Sequence, residues 1–289
     1  MKLALKIDVD TYRGTREGVP RLVELLRKHG AGGTFLFSLG PDHTGRALRR
    51  VFRPGFFSKV SRTSVVEHYG VRTLLYGTVL PGPDIGVKCK SIMSGVRDAG
   101  FEVGVHCWDH VRWQDFVAVR DAAWTEREMD LACERFRDVF QGAAKTWGAA
   151  GWQTNVHAAR YQQRFDYASD TRGTHPFQPV WNGQALGCAQ VPTTLPTLDE
   201  LIGLHADVVQ HLLERTGERD HVFTAHAELE GGKLLPMFEA LIKGWRSQGY
   251  DLVATRDIPR QQLPRHHVVY GEVPGRSGAL ALQGKEATT

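Results

Sequence analysis

The 289-residue chain has little sulfur: four cysteines and four methionines. Cys89, Cys107, Cys133 and Cys188 are scattered and form no C-x-x-C pair, so neither a zinc ribbon nor a disulfide framework is indicated. A reducing compartment is the simpler reading. Long hydrophobic runs are also lacking. No stretch approaches the roughly 20 apolar residues of a transmembrane helix. The opening MKLALKIDVD is broken at Lys6 and Asp8, too early for a signal-peptide core. The expectation is a cytoplasmic protein, soluble or lying on a membrane surface. No G-x-G-x-x-G turn follows the first β-rich run, which argues against a dinucleotide fold. No arginine-rich block or aromatic nucleic-acid signature stands out, so no nucleic acid partner is expected. Charge of one sign is in only slight excess, at +4 net, which suits an anionic partner such as phosphate or a membrane surface.

What is present is a regular alternation of short β-rich runs and amphipathic helical runs. Strands are expected at Leu3–Ile7, Thr34–Leu39, Glu102–Val105, Ala144–Ala149, Tyr167–Ser169, Ala189–Val191, Val222–Thr224 and Asp251–Ala254. Helices are expected at Glu17–His29, Asp84–Ala99, Thr125–Phe140, Val156–Phe165, Leu198–Arg215 and Leu234–Gln248. Thr125 with Glu128 has capping-box spacing, and Asn155 is placed to cap the helix after it. Such alternation means parallel β/α units, and their number suggests an α/β barrel more than an open sheet. Two stretches break the rhythm. Pro41–Pro83 is an insertion after the second strand. The tail from about Pro264 to Thr289 has no periodicity and reads as poorly ordered.

Polar residues fall at the ends of the strands. Asp8 and Asp10 close the first, in K-I-D-V-D. His106 and His110 follow a later one, in V-H-C-W-D-H; Asp170 follows Y-A-S, and His226 follows V-F-T. In a parallel barrel all these ends open on one face, so the residues converge. Taken singly, each has a bland reading. With 13 histidines, an i, i+4 pair arises by chance about half the time. A strand-end aspartate is commonly a cap or turn former, His226 alone could be a core histidine, and Asp109 and Glu228 read as solvated or supporting groups. The case rests on convergence. Two imidazoles and a carboxylate make an open metal site, a second carboxylate can take a proton from water, and a histidine can protonate a departing amine near neutral pH.

The set D-V-D, H-C-W-D-H, W-G-A-A-G-W-Q, Y-A-S-D-T-R-G and F-T-A-H-A-E resembles the five motifs of the polysaccharide-deacetylase superfamily, in order, across residues 7–228. The segments L-x-I-D-V-D-T-x-R-G-T, F-S-x-G-P-D-H-T-G-R-A and G-W-Q-T-N are closer still to its deformylases of formamido-arabinose carried on undecaprenyl phosphate. The resemblance runs from residue 2 to about residue 260. It implies a distorted (β/α) barrel of the polysaccharide deacetylase type, with a catalytic domain over residues 1–263, and one divalent metal ion, zinc, manganese or cobalt. It implies Asp8 as general base, Asp10, His106 and His110 as metal ligands, His226 as general acid, and Asp170 as the acidic residue that orients it. Trp147, Trp152 and Arg172 become candidate substrate contacts. The expected product feeds lipid A modification and resistance to polymyxin and cationic peptides. Two departures stand out. Val9 splits the usual aspartate pair, and residues 147–153 lack the usual arginine of the third motif. What positions Asp8 is therefore open, with Arg172 one candidate.

The insertion holds seven basic residues against Asp42 and Glu67, interleaved with large apolar ones. Arg49, Arg50, Arg53, Phe56 and Phe57 are the expected contacts with an anionic inner-membrane surface, where a basic-apolar surface segment can sit at the headgroup boundary. The rival readings are a deacetylase of soluble or cell-wall sugars using the same metal site, and a non-catalytic lipid- or sugar-binding module on a degenerate barrel. The intact Asp8, Asp10, His106, His110 and His226 speak against the second.

Overall fold

A computed structural model describes residues 1–47, 70–276 and 278–287. Seven strands among the described residues form one parallel sheet. They are β1 (Lys2–Val9), β2 (Thr34–Ser38), β3 (Glu102–Cys107), β4 (Thr146–Trp147), β5 (Tyr167–Ala168), β8 (His221–His226) and β9 (Asp251–Val253). The order is β5-β4-β3-β2-β1-β8. β2 pairs with residues 6–9 of β1, and β9 with residues 2–4. The sheet curls into the expected distorted barrel. Between its outermost strands runs an irregular segment. Val191 N donates to Ala168 O next to β5, and Thr194 N donates to Val222 O in β8. The strand expected at Ala189–Val191 is thus reduced to two isolated bridges at Gln190, one to Ala168 and one to Phe177.

Strand parity divides the core. Successive side chains alternate between faces. Leu3, Leu5, Ile7 and Val9 of β1 join Phe35, Phe37, Phe223 and Phe238 in the large cluster under the helices. Ala4, on the other face, joins Tyr167, Val191, Val222, Val253 and Ile258 in a small cluster inside the barrel. Above that floor the interior face of β1 reads Lys6, Asp8 and then, just past the strand, Asp10. Fully burying a large apolar side chain contributes about 1.5–3 kcal/mol, so the outer cluster fixes which face β1 turns inward.

The principal helices are α1 (Val19–Lys28), α2 (Val71–Leu75), α3 (Ile85–Lys88), α4 (Lys90–Asp98), α5 (His110–Phe116), α6 (Ala122–Phe140), α7 (Val156–Tyr161), α8 (Leu198–Leu201), α9 (Val208–Arg215) and α10 (Leu235–Ser247). Asn155 caps α7 by accepting from Ala158 N at 2.8 Å. Thr125 does not cap α6. Asp121 does, accepting from Trp124 N at 2.9 Å, and Thr125 sits inside the helix with its hydroxyl donating to Asp121 O. The single helix expected at Leu198–Arg215 is two, α8 and α9, and α8 is capped by a Thr197–Glu200 capping box.

The tail overturns the expectation of poor order. β10 (Arg265–Glu272) and β11 (Ala279–Glu286) form an antiparallel hairpin that adds to β6 (Gln178–Trp181) and β7 (Gln184–Ala185) in a second, four-stranded sheet. Leu280 and Ala281 of β11 are buried. The hairpin's partner is remote in sequence and most of its outward residues are polar, so no local period announces it.

The two ends of the insertion meet, with Asp42 N donating to Pro83 O at 2.9 Å. Asp42 accepts from Tyr12 N and Thr44 N, which pins the stem beside the end of β1. Arg49, Arg50, Arg53, Phe56 and Phe57 lie outside the described residues. No described helix is long and apolar enough to cross a membrane.

Candidate active site

The strand ends bring Asp8, Asp10, His106, His110 and His226 together. β1 and β8 are neighbours, and Asp8 and His226 face each other in register. Asp10, His106 and His110 form one cluster whose ligand atoms all lie within 4.8 Å of one another. His106 Nε2 is 3.2 Å from Asp10 Oδ1, and His110 Nε2 is 3.4 Å from Asp10 Oδ2.

His106 Nδ1 donates to Gly148 O at 2.6 Å. A carbonyl only accepts, so Nδ1 carries the hydrogen and the neutral ring turns the lone pair of Nε2 toward Asp10. Asp10 Oδ1 is itself buried with no hydrogen-bond partner among the described residues. Two acceptors converging at this distance fit a cation between them. Burial pushes the Asp10 carboxyl upward, but the imidazoles of His110, His106 and His226 outweigh it and hold the group well below the usual carboxylate range. Burial likewise pulls His106 down, and the charges of Asp8 and Asp10 outweigh it and raise the ring. The cluster's donor set could hold a metal ion.

Glu228 supports the loop that carries Asp10. Its Oε1 accepts from Asp10 N at 3.1 Å, and from Thr11 N and Thr11 Oγ1, both at 2.8 Å. Gly14 makes room for it, since a Cβ there would lie 1.9 Å from that oxygen. This accounts for Thr11 and Gly14 in the T-x-R-G-T stretch. Asp109 caps α5 through Arg112 N and meets His43 Nδ1 at 2.6 Å, joining the stem of the insertion to the helix that begins with His110.

The surroundings of His226 are built differently. His226 N donates to Glu230 at 2.7 Å, and burial pushes the Glu230 carboxyl up to about 8. The carboxylate facing His226 Nδ1 is Asp199, at 4.0 Å, not Asp170. Asp170 is fully enclosed and accepts from Ala149 N at 2.8 Å and Gln162 Nε2 at 2.7 Å; burial raises it to about 6. It ties the third-motif loop to its own strand end. Asp199 instead accepts from Thr197 Oγ1 and from Arg276 Nη2 at 2.9 Å. Arg276 belongs to the turn of the tail hairpin, and its Nε also donates to Glu200 at 2.7 Å.

Three residues expected to touch substrate serve as scaffold. Trp147 is fully buried among Trp113 and Phe165. Trp152 is 2% exposed, donates from Nε1 to Thr193, and lies edge-on to His226. Arg172 is committed to Glu200 at 2.6 Å and to Leu195 O, and packs 5.0 Å from the centre of the Trp152 ring. Burial leaves Trp147 no exposed surface and Trp152 only 2%. Asp199, Glu200 and Arg276 went unnoticed in the sequence; their signal was the capping-box string T-L-D-E, which reads as helix chemistry alone.

A curated relative from Shewanella sediminis, named 4-deoxy-4-formamido-L-arabinose-phosphoundecaprenol deformylase ArnD, is 36% identical over 293 residues, covering 98% of this chain and 94% of its own. The chain belongs to this deformylase family. A second relative of that name, from Wigglesworthia glossinidia brevipalpis, is 32% identical and covers 94% of this chain and 99% of its own. No family model matches. A solved structure from Mycobacterium smegmatis, described as a polysaccharide deacetylase, superposes with a TM-score of 0.57 at 14% identity, covering 94% of this chain and 95% of its own. That likeness shows the fold, the curled parallel sheet of the polysaccharide deacetylases. Membership in the deformylase family makes the chain a hydrolase of an amide C–N bond.

Proposed function

We propose that the chain hydrolyses the formamide of 4-deoxy-4-formamido-L-arabinose linked to undecaprenyl phosphate, releasing formate and the free amino sugar lipid. The observation that carries this reading is the convergence of a three-ligand cluster, a buried carboxylate and a buried imidazole at the ends of β1, β3 and β8 and the start of α5. Family membership supplies the amide and the lipid-linked sugar.

Asp10, His106 and His110 are the residues that would hold the metal. A divalent ion there would acidify a water and polarise the formyl oxygen. Asp8 is the carboxylate placed to take a proton from an attacking water. Its Oδ1 has no hydrogen-bond donor among the described residues, while Oδ2 is held by Lys6 at 3.0 Å. As the C–N bond breaks, His226 gives a proton to the nitrogen, so the leaving group departs as a neutral amine. Asp199 lies on the Nδ1 side of His226. Residues 1–263 carry these groups, and the tail hairpin completes the acid side through Arg276.

A lipid-linked substrate brings the catalytic face to the bilayer. The insertion follows β2 and emerges on that face. Its described part exposes Val71 at 64% and Val79 at 76%, next to an exposed Arg72. We assign it to contact with anionic lipid on the cytoplasmic face of the inner membrane, with Arg49, Arg50, Arg53, Phe56 and Phe57 contributing. Removing the formyl group frees a basic amine, the chemistry that lipid A modification and polymyxin resistance need.

The test is formate release by the full chain, with bound metal quantified, from a synthetic formamido-arabinosyl polyprenyl phosphate, alongside acetate release from the acetamido counterpart. Formate release well above acetate release is expected. A preference for the acetamide would make the enzyme a deacetylase, and no turnover of either by the metal-loaded chain would remove the enzymatic reading.

A further inference from the structure

Asp8 is 3% exposed, and a buried carboxylate costs several kcal/mol unless a charge or donors compensate it. The nearby cations can be sorted by their commitments. Arg172 is bound to Glu200, and Arg276 to Glu200 and Asp199. Lys6 remains. Its Nζ lies 3.0 Å from Asp8 Oδ2, with the lysine side chain fully buried and the aspartate side chain 4% exposed. The two residues share the interior face of β1, so the strand itself sets their separation.

Two further features build the place for this lysine. Gly148, in W-G-A-A-G-W-Q, leaves its stem room: a Cβ at 148 would lie 3.2 Å from Lys6 Cε and 2.3 Å from Leu36 Cδ1. The ring of Trp152, held by Thr193, lies 5.2 Å from Nζ, within the range of a favourable cation–π contact. The third-motif stretch contains no arginine, yet it houses a cation from the neighbouring strand.

We propose that Lys6 is the positioning residue for Asp8: it holds Oδ2 and so presents Oδ1 to the water. The inference rests on Asp8 being the base. A single ammonium makes one bond, to Oδ2, and leaves the second oxygen open. Among the described residues, Lys6 forms its ion pair with Asp8 and none with the three cluster residues.

Lys6→Met removes the charge and keeps the length, and Lys6→Gln keeps a donor without charge. In the full, metal-loaded chain both should lower kcat by about 10–100-fold, the range for a group that orients a catalytic neighbour. KM and metal stoichiometry should stay as in the parent. Lys6→Arg should recover most of kcat, which a purely structural loss would not predict. In an Asp8→Asn background, adding Lys6→Gln should cost nothing further. Wild-type kcat in Lys6→Gln, or the same fold-loss in the Asp8→Asn background, would overturn the proposal, as would loss of metal in proportion to activity. If Lys6→Met does not fold, the Lys6→Gln and Lys6→Arg pair decides. Failure of the underlying reading looks different: Asp8→Asn would itself stay active, whatever Lys6 does.

Discussion

The two halves of the site are made of different material. The metal-and-base half stands on regular strands: Lys6 and Asp8 on β1, Asp10 just past its end, and His106 on β3. The acid half has only His226 on a strand. Its carboxylate Asp199 comes from a four-residue helix, its cation Arg276 from the tail hairpin, and its central ring, Trp152, from a turn where φ reaches +53°. The first half is set by period-two geometry and the parallel register of neighbouring strands. The second is assembled by long-range ion pairs across irregular backbone. A barrel thus supplies ligand geometry cheaply, while the device that holds its acid has to be built from outside it.

The comparison can be broken first at the metal. His106→Ala should abolish turnover and metal retention together while far-UV circular dichroism stays unchanged, because β3 keeps its backbone pairing. Chelation of the parent should match it. Full activity in either would show that the cluster does not serve catalysis.

Next in size are the proton-transfer groups. Asp8→Asn and His226→Ala should each retain metal and lose about 10²–10⁴-fold in kcat. Should Asp8→Asn strip the metal, Asp8 and Asp10 would exchange roles and the two halves would no longer divide as described.

The acid half is sharpened by its outer support. Arg276→Met removes the cation paired with Asp199 and should reduce kcat by about 10–100-fold, in the manner of outer groups that orient catalytic ones. Asp170→Asn should leave the acid step intact, since Asp170 bonds to Ala149 and Gln162 and not to His226. Equal losses in the two variants, measured as kcat at constant metal occupancy, would erase the distinction between Asp199 and Asp170.

The smallest effect concerns the membrane. Replacing Phe56 and Phe57 by Ser should weaken sedimentation with anionic vesicles several-fold and slow turnover of the lipid substrate, at about 1 kcal/mol per basic residue retained near the surface. Hydrolysis of a short-chain soluble analogue should be unchanged. Equal loss on both substrates would assign the insertion to folding.

Much of the first half was legible in the chain. K-I-D-V-D places 6, 8 and 10 on one side of a strand by parity alone, and that same parity marks Lys6, which is neither an acid nor a histidine. Asp170 was misread for the opposite reason. Its place after a strand, in Y-A-S-D, looked like an acidic partner for His226, yet a strand-end position says only that a residue reaches the catalytic rim, not which neighbour it meets.

By itself, then, the sequence determined the strand–helix alternation, the face of each strand, and which polar residues converge on one rim, because these follow from local periods and from strand ends opening on one face. Only the tertiary structure decided that Asp199 and not Asp170 faces His226, that Trp147 and Trp152 are buried support, and that the tail is an ordered hairpin delivering Arg276. Those outcomes depend on ion pairs and backbone pairings between residues far apart in the chain, such as Arg276 with Asp199 and Arg172 with β11. No local pattern encodes such a partner.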